Sequence, residues 1–317
     1  MSLVKAVLKG ERLALARLLT QVENDTPAGR AALDELFPHT GQAHLIGVTG
    51  SPGTGKSSLV NHLARALRKA KNQRVGIIAV DPSSPFTGGA LLGDRVRMRD
   101  LAGDPGVFIR SMAARGALGG LARSTAAVAQ ALDAAGFQII LIETVGAGQS
   151  EVDIARLAHT TLVVEAPGLG DDIQAIKAGI LEIADILVVN KADRPGVENA
   201  ERALRAMLEL ANPGRKGPGE QAWKPPVLRT VASLGEGIDE LAEAIFAHAR
   251  YLRQSGGWQA REQERIRSNL DDLVRAALVA RWQQQLAAEH YQQVLERLCT
   301  RQISPHQAVA LLLRQEK

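Results

Sequence analysis

The chain has 317 residues, of which 45% are hydrophobic and 23% are charged, a composition typical of a protein that buries a globular core. Cys299 is the single cysteine, which excludes a disulfide framework and a cysteine-based metal site. The 38 basic residues exceed the 34 acidic ones by a net charge of only +4, so a nucleic-acid partner is not predicted. Residues 1–20 lack the apolar core of a signal peptide, and no apolar run approaches the roughly 20 residues of a membrane span. We therefore expect a cytoplasmic protein with no membrane partner.

Residues 1–43 are predicted to form a helical extension that packs on the main domain. Apolar residues recur at helical spacing from Val4 to Val22. A second apolar group, Ala31-Ala32-Leu33 with Leu36-Phe37, follows before Pro38.

Residues 44–250 alternate short apolar runs with helical stretches. The runs cover residues 45–49, 75–80, 107–109, 139–142, 162–164, 186–189 and 227–231. They are continuously apolar, as expected for strands whose two faces are both covered. The pattern predicts an α/β domain with a mostly parallel central sheet flanked by helices.

The first apolar run leads into a phosphate-binding loop. Gly50-Ser51-Pro52-Gly53-Thr54-Gly55-Lys56-Ser57 matches the pattern G-x-x-x-x-G-K-[ST], and a helical pattern begins at Ser58. In such a loop the backbone N–H groups point at phosphate oxygens, Lys56 is a catalytic charge for the β- and γ-phosphates, and the Ser57 hydroxyl binds Mg²⁺. A plain glycine-rich turn is the alternative, but strand, loop and helix in this order place phosphates at a helix N-terminus. The loop predicts a P-loop NTPase in which residues 50–58 bind the nucleotide.

Three acidic residues are candidates for a magnesium site. Asp81 ends the second apolar run, Asp94 follows it, and Glu143 ends the fourth run. Glu143 could reach Mg²⁺ through water, whereas either aspartate could instead be a cap or turn residue. The Gly146 N–H is placed to contact the γ-phosphate, and Ala147 stands where fast GTPases keep a water-orienting glutamine. We therefore expect slow hydrolysis by the free protein, with Glu143 and Gly146 as catalytic groups.

A guanine-recognition motif follows the sixth run. Asn190-Lys191-Ala192-Asp193 stands at the carboxyl end of that predicted strand, where open α/β sheets bind ligands. The Asp193 carboxylate can accept from the N1–H and the 2-amino group of guanine, a donor pair that adenine lacks, and the Lys191 stem can cover the base. Ser233 and Leu234, after the seventh run, fit a loop that supports the base with backbone N–H groups. The nucleotide is therefore predicted to be GTP, or GDP after hydrolysis.

Residues 251–317 are predicted to form a helical arm. Neither Gly nor Pro occurs from Trp258 to Ser304, and Ile266, Leu270 and Leu273 begin an apolar pattern at helical spacing. This predicts a long amphipathic helix or helix pair, which either folds back on the sheet domain or packs on another subunit. The separating segment Ser255-Gly256-Gly257 favours the second arrangement, a homodimer.

Several longer motifs resemble one GTPase family. They are Asp81-Pro82-Ser83-Ser84, Thr87-Gly88-Gly89 with Leu92-Gly93-Asp94, Leu118-Gly119-Gly120, residues 143–151 (Glu143-Thr144-Val145-Gly146 onwards) and residues 170–180 (Gly170-Asp171-Asp172-Ile173-Gln174 onwards). With these motifs the chain is similar to the MeaB/ArgK-type GTPases, the chaperones of methylmalonyl-CoA mutase within the P-loop metallochaperone GTPases. The resemblance extends over essentially the whole chain.

The resemblance implies a nucleotide-controlled chaperone that dimerises through its C-terminal arm. Family members attach to an adenosylcobalamin-dependent acyl-CoA mutase, gate its cofactor loading and protect or rescue it from inactivation, and the mutase accelerates their GTP hydrolysis. They place Mg²⁺ near the counterparts of Ser57, Asp81, Asp94 and Glu143. The family switch maps onto residues 166–177 and includes Gly170, Asp171, Asp172, Gln174 and Lys177.

One stretch departs from the family pattern. Residues 111–117 read Ser-Met-Ala-Ala-Arg-Gly-Ala, where many relatives read Pro-Ser-Ser-Gly, so no contact is carried over from this stretch. Arg115 within it is a candidate transition-state arginine.

The same motifs are compatible with three other functions. A nickel-insertion GTPase needs a metal relay of cysteine or histidine, which the lone Cys299 does not supply. A GTP-dependent scaffold with incidental hydrolysis would differ only in whether turnover matters. A transport-linked kinase would transfer the phosphoryl group to an amino acid or protein, and the sequence offers no site for such a substrate. For a mutase chaperone, methylmalonyl-CoA mutase is the first client to consider, and related acyl-CoA mutases are alternative clients.

Overall fold

Seven parallel strands form the central sheet of the computed structural model, which describes residues 2–82, 99–101, 103–114, 120–144, 150–168, 182–211 and 222–313. The strands are β1 (His44–Thr49), β2 (Val75–Pro82), β3 (Val107–Ala114), β4 (Ile139–Glu143), β5 (Thr160–Glu165), β6 (Ile186–Asn190) and β7 (Val227–Thr230). Each apolar run of the sequence coincides with one of these strands, so the prediction of an α/β fold with a parallel sheet is confirmed.

The α-helices of the described ranges flank this sheet and extend beyond it. They are α1 (Leu3–Leu8), α2 (Arg12–Glu23), α3 (Pro27–Leu36), α4 (Lys56–Lys71), α5 (Gly120–Ala134), α6 (Ser150–Leu157), α7 (Val197–Ala211), α8 (Ile238–Gln254), α9 (Gly257–Gln285), α10 (Ala288–Cys299) and α11 (Pro305–Leu313). Helices are thus present at both ends of the chain, as predicted. Within the described ranges, no helix combines the length and the apolar character needed to cross a membrane.

The strand order places β1 at a switch point of the sheet. The order is β3-β2-β4-β1-β5-β6-β7, so β1 pairs with β4 on one side and with β5 on the other. Strands β2, β3 and β4 lie on one side of β1. Strands β5, β6 and β7, which come later in the chain, lie on the other side. Open parallel sheets bind ligands at the carboxyl ends of their strands at such a point.

The edge strand β3 is longer than its apolar run of residues 107–109. It continues through Arg110 and Ser111 to Ala114 and pairs with β2 along this whole length. Arg110 forms an ion pair with Glu23 of α2, which allows a charged side chain within the strand. The apolar run therefore locates β3 correctly but underestimates its length.

Helices cover both faces of the sheet. On one face α2, α3 and α5 pack on the strands, with Leu18, Leu36 and Leu132 inaccessible to solvent. On the other face α4 and α8 bury Leu63 and Ile245 in the same way. Each such side chain contributes roughly 1.5–3 kcal/mol through burial. The N-terminal helices therefore share a core with the sheet.

The chain divides into two compact units, Met1–Arg267 and Ser268–Lys317. Within the second unit α10 packs against α11, and Trp282 Nε1 donates to the carbonyl oxygen of Leu312 at 3.1 Å. The predicted division at residues 43 and 250 stays a prediction.

Buried histidines lie at the amino ends of the strands, opposite the phosphate loop. His44 begins β1, His159 directly precedes β5, and His248 lies on α8. The Thr160 hydroxyl lies 2.7 Å from His44 Nε2 and 2.9 Å from His248 Nδ1, so it joins the two rings. The other nitrogen of His248 lies 3.3 Å from Asp185 Oδ1.

The hydrogen bonds of His159 fix its tautomer. Its Nδ1 accepts from the Leu45 N–H at 3.1 Å, which leaves the ring proton on Nε2, 3.1 Å from Glu262 Oε2. Trp258 of α9 stacks on the ring at a centroid distance of 4.0 Å, and Arg261 Nη1 donates to the His159 carbonyl at 2.6 Å. A neutral histidine thus anchors the beginning of α9 to the sheet.

Candidate nucleotide-binding site

Glycines let the phosphate loop follow a path that no other residue could take. Gly50 has φ 133°, and a Cβ there would lie 2.0 Å from the Val164 carbonyl oxygen of β5. Gly55, with φ 91°, precedes the first turn of α4, and a Cβ there would lie 2.6 Å from Asn190 Nδ2. Both positions combine a left-handed or related backbone with close packing, which only glycine tolerates. The loop is therefore held between the ends of β1, β5 and β6.

Lys56 places its ammonium inside the loop. The side chain is buried, and Nζ donates to the carbonyl oxygens of Gly50 at 2.8 Å and Ser51 at 2.9 Å. The Thr54 hydroxyl donates to the same Ser51 carbonyl at 2.9 Å. A fixed positive charge at the N-terminus of α4 is the arrangement that attracts phosphate groups.

Ser57 and Glu143 meet across the site. The Ser57 hydroxyl, in the first turn of α4, donates to Glu143 Oε1 at 2.6 Å, and Glu143 is buried at the end of β4. The two residues are 86 positions apart in the sequence and become neighbours because β4 pairs with β1. A hydroxyl and a carboxylate oxygen in contact are the hard oxygen ligands that Mg²⁺ prefers.

Asn190 joins three segments around the site. Its Nδ2 donates to the Thr54 carbonyl of the phosphate loop at 2.7 Å. Its Oδ1 accepts from the Thr230 hydroxyl and from the Ala232 N–H, both at 3.0 Å. Because Asn190 is only 2% exposed, these bonds are shielded from water, and they fix the loop relative to the segment after β7.

The remaining guanine-motif residues surround the same junction. Lys191 has φ 58°, and its Nζ donates to the Gly53 carbonyl at 2.6 Å. Asp193 is exposed in the turn that follows. Ser233 and Leu234 are exposed in the turn that leads to α8. The predicted base-binding residues thus lie on segments that Asn190 and Lys191 tie to the phosphate loop.

Several predicted residues are described only in part or not at all. For Asp81 the structure describes the backbone, which pairs with Ala113 at the end of β2. Asp94, Gly146 and the stretch from Gly170 to Lys177, with Asp171, Asp172 and Gln174, lie outside the described residues. Arg115 of the departing stretch also lies outside them.

The described part of the site includes a carboxylate that was not predicted from the sequence. Glu165, the last residue of β5, is 4% exposed, and its Oε1 accepts from the Ser51 hydroxyl of the phosphate loop at 3.3 Å. The only signal in the sequence is a charged residue directly after an apolar run. Such a residue is more often a surface residue at the end of a strand, so the signal alone does not identify it.

Replacing Asn190 with alanine should lower the free energy of unfolding by about 2–4 kcal/mol, because buried donors and acceptors on three segments lose their partner. Urea denaturation without nucleotide measures this loss. The matched control is Asn199→Ala, at an exposed position of α7, which should stay within about 0.5 kcal/mol. If Asn190→Ala lowered the free energy of unfolding no more than Asn199→Ala does, Asn190 would not hold the three segments together.

The chain is similar to a described family and to individual relatives along nearly its whole length. Residues 15–287 match the family described as methylmalonyl Co-A mutase-associated GTPase MeaB. A protein of Pyrococcus abyssi described as a GTPase is 44% identical over 313 residues, which cover 99% of this chain and 95% of that protein. GTPase ArgK of Escherichia coli K12 is 38% identical over 268 residues, or 83% of this chain and 80% of that one.

A mitochondrial relative and a solved structure extend the comparison. The methylmalonic aciduria type A homolog of Caenorhabditis elegans is 30% identical over 327 residues, which cover 98% of this chain and 82% of that protein. The crystal structure of an LAO/AO transport system kinase superimposes with a TM-score of 0.71 at 28% identity, covering 98% of this chain and 95% of that chain. It shares the P-loop fold derived above, and by the family match this chain belongs to the MeaB family of methylmalonyl-CoA mutase-associated GTPases.

Proposed function

We propose that this protein is a GTP-hydrolysing chaperone of an adenosylcobalamin-dependent acyl-CoA mutase, with methylmalonyl-CoA mutase as the first client to test. The client is proposed from the family, whose description names association with that mutase, and from the C. elegans relative described as a methylmalonic aciduria type A homolog. Relatives described as GTPases support the nucleotide. The observation that carries the proposal is the Asn190 junction, which holds the phosphate loop and the base-side turns in one arrangement.

The proposed GTP site combines the phosphate loop with the base-side turns. Residues 50–58 would hold the phosphates, with Lys56 as the cation and the first turn of α4 as the anion-binding helix end. The Asp193 carboxylate would accept from guanine, and the Ser233–Leu234 turn would support the base. Because adenine lacks the donor pair that Asp193 needs, we expect strong preference for GTP over ATP.

The residues present fit Mg²⁺. The Ser57 hydroxyl and Glu143 carboxylate already lie in contact, and Glu143 pairs in register with Ala79 of β2, two residues before Asp81. We propose Asp81 and Asp94 as further ligands, direct or through water. When bound, Mg²⁺ would neutralise charge on the β- and γ-phosphates.

The catalytic groups proposed are Lys56, Glu143 and Gly146. Lys56 would donate to the phosphate oxygens while its position stays fixed by the loop carbonyls. Glu143 would orient water at the metal, and the Gly146 N–H would contact the γ-phosphate. Because Ala147 has no side-chain amide to orient the attacking water, we expect slow hydrolysis until the client supplies the missing group.

The proposed switch and the proposed dimer involve separate parts of the chain. Gly170, Asp171, Asp172, Gln174 and Lys177 would report the nucleotide state to the mutase. In the second unit Leu270, Leu273 and Val274 of α9 are 58%, 51% and 47% exposed. Their spacing of three and four residues places these large apolar side chains on one helix face, which favours a covering partner, and we propose a second copy of this chain.

Mg²⁺-dependent GTP hydrolysis, with and without the B12-dependent acyl-CoA mutase of the same organism, tests the function. We expect a slow rate with GTP, a negligible rate with ATP, and stimulation of several-fold by the mutase. Equal use of ATP would contradict guanine recognition, and no response to the mutase would contradict the client. Transfer of labelled γ-phosphate to an amino acid or protein would instead establish a kinase.

The variant Glu143→Gln distinguishes a chaperone that depends on GTP hydrolysis from a GTP-dependent scaffold with incidental hydrolysis. The variant keeps an acceptor oxygen for the Ser57 hydroxyl, so it should keep GTP affinity and lose most hydrolysis. If it still protects the mutase through repeated turnovers as well as the unmodified protein does, hydrolysis is incidental and the scaffold function holds.

A further inference from the structure

Glu165 is a buried carboxylate beside the phosphate loop, with no role in the nucleotide chemistry described above. It ends β5, whose neighbours in the sheet are β1 and β6, and pairs in register with Val189, next to Asn190. At 4% exposure, a carboxylate is costly to bury unless it makes specific hydrogen bonds. Its place at the carboxyl end of the sheet brings it to the loop that holds the phosphates.

Ser51 connects this carboxylate to the catalytic lysine. The Ser51 hydroxyl donates to Glu165 Oε1 at 3.3 Å. The carbonyl of the same residue accepts from Lys56 Nζ at 2.9 Å and from the Thr54 hydroxyl at 2.9 Å. The orientation of one residue, Ser51, therefore determines where one of the two carbonyls that hold the ammonium lies.

The backbone keeps the loop within reach of Glu165. Gly50 packs so closely on β5 that a Cβ would lie 2.0 Å from the Val164 carbonyl oxygen. Because Val164 directly precedes Glu165, the beginning of the loop cannot move away from the carboxylate without breaking this contact. The Ser51–Glu165 bond then restrains Ser51 itself, and with it the Ser51 carbonyl in the peptide that leads to Pro52.

We propose that Glu165 is a positioning residue for hydrolysis, which acts through Ser51 to fix the carbonyl that orients the Lys56 ammonium. The proposal rests on the GTPase function proposed above. A cation contributes most to the rate when it is already aimed at the charge that develops in the transition state. Loss of the bond should therefore lower kcat more than it weakens nucleotide binding.

A double-mutant cycle tests the proposal. Ser51→Ala and Glu165→Ala should each lower kcat for GTP by roughly 3- to 10-fold, with KM and the affinity for a fluorescent GDP changed by less than about 2-fold. The double variant should be no slower than the slower single variant, because both substitutions break the same bond. Glu165→Gln keeps an acceptor oxygen and should restore kcat to within about 2-fold of the unmodified protein. The control Glu243→Ala, exposed on α8, should change nothing.

Two outcomes would overturn the proposal. One is a double variant whose loss is the product of the single losses. The other is a Glu165→Gln variant as slow as Glu165→Ala with an equally lowered melting temperature, which indicates a purely structural role. If Glu165→Ala does not fold, Ser51→Ala replaces the cycle as the test, because Ser51 is only partly buried in the loop. A Ser51→Ala variant with the kcat of the unmodified protein would then overturn the proposal.

Amide hydrogen exchange separates failure of this proposal from failure of the GTPase function. In nucleotide-free protein, the Thr54 amide, which donates to the Ser51 carbonyl at 3.4 Å, should exchange faster in Ser51→Ala and Glu165→Ala but not in Glu165→Gln. If the unmodified protein hydrolyses no GTP, the function fails, while this exchange pattern still decides whether Glu165 orders the loop through Ser51. If exchange is unchanged in all three variants, the proposal for Glu165 fails and the GTPase function is unaffected.

Discussion

Lowering the pH from 7.5 to 5.5 should remove roughly 2.5 kcal/mol or more from the free energy of unfolding, because His44 and His248 are buried in the neutral form. Burial holds the pKa of His44 well below its ordinary value, and the neighbouring His159 and His248 lower it further. Burial lowers the pKa of His248 to about 4, although Asp185 opposes the shift. Burial also lowers the pKa of His159, against the pull of Glu262.

The sign follows from the difference between the folded and unfolded states. In the unfolded chain these histidines take up protons as the pH falls below about 6.5, whereas in the folded protein they remain neutral. Each therefore removes about 1.4 kcal/mol of stability per pH unit between its unfolded and its folded pKa. His159 acts in the same direction, since a proton on its Nδ1 would face the Leu45 N–H.

The carboxyl groups with lowered pKa values act at lower pH. Burial alone would raise the pKa of Glu262, but hydrogen bonds from His159 and Arg265 lower it to about 2. The stability that this group contributes is lost only as the pH falls below about 4.5. Asp133, whose pKa is raised by burial, acts in the opposite direction. A fall in stability that begins near pH 6.5 therefore reports the histidines.

Urea denaturation at pH 7.5, 6.5 and 5.5 measures the effect, with two matched variants. His248→Gln should flatten the pH dependence by about one third to one half, because it removes one of the buried titrating groups. His39→Gln, at an exposed position, should leave the dependence unchanged. A pH profile that is flat from 7.5 to 5.5 would contradict burial of the three rings in the neutral form.

The sequence predicts the parts of the fold that depend on local pattern. Continuous apolar runs locate all seven strands, and G-x-x-x-x-G-K-S locates the loop between β1 and α4. Ser57 and Glu143 were both predicted near one metal, and the structure brings them to 2.6 Å. The strand order, in which β4 lies between β1 and β2, depends on the packing of distant segments and is not contained in any local pattern.

The interactions that the sequence does not predict join residues far apart in the chain. Glu165 and Ser51 are 114 positions apart, and Thr160 and His248 are 88 apart. Each of these residues has an ordinary local role, such as the end of a strand or a position on a helix, so nothing nearby indicates its partner. The break between α9 and α10 at residues 286–287 likewise contains neither Gly nor Pro. It was predicted only as a choice between one long helix and a pair.

Replacing Lys56 with alanine should lower the rate of GTP hydrolysis by a factor on the order of 10²–10³, because the phosphates lose a charged donor held in a site shielded from water. The ammonium is held by the Gly50 and Ser51 carbonyls at 2.8 and 2.9 Å. A larger guanidinium cannot occupy the same position, so Lys56→Arg should not restore the rate.

The control for this substitution is Lys69→Ala, at an exposed position of the same helix, which should keep the full rate. Single-turnover hydrolysis with enzyme in excess measures the chemical step, and a fluorescent GDP measures binding separately. If Lys56→Ala kept more than about one tenth of the rate, the hydrolysis would not occur at this loop. If the substitution lowered the affinity for nucleotide by the same factor as the rate, Lys56 would stabilise the bound nucleotide and the transition state equally. A larger fall in rate than in affinity is the result expected of a charge that is held in place by Ser51 before the nucleotide arrives.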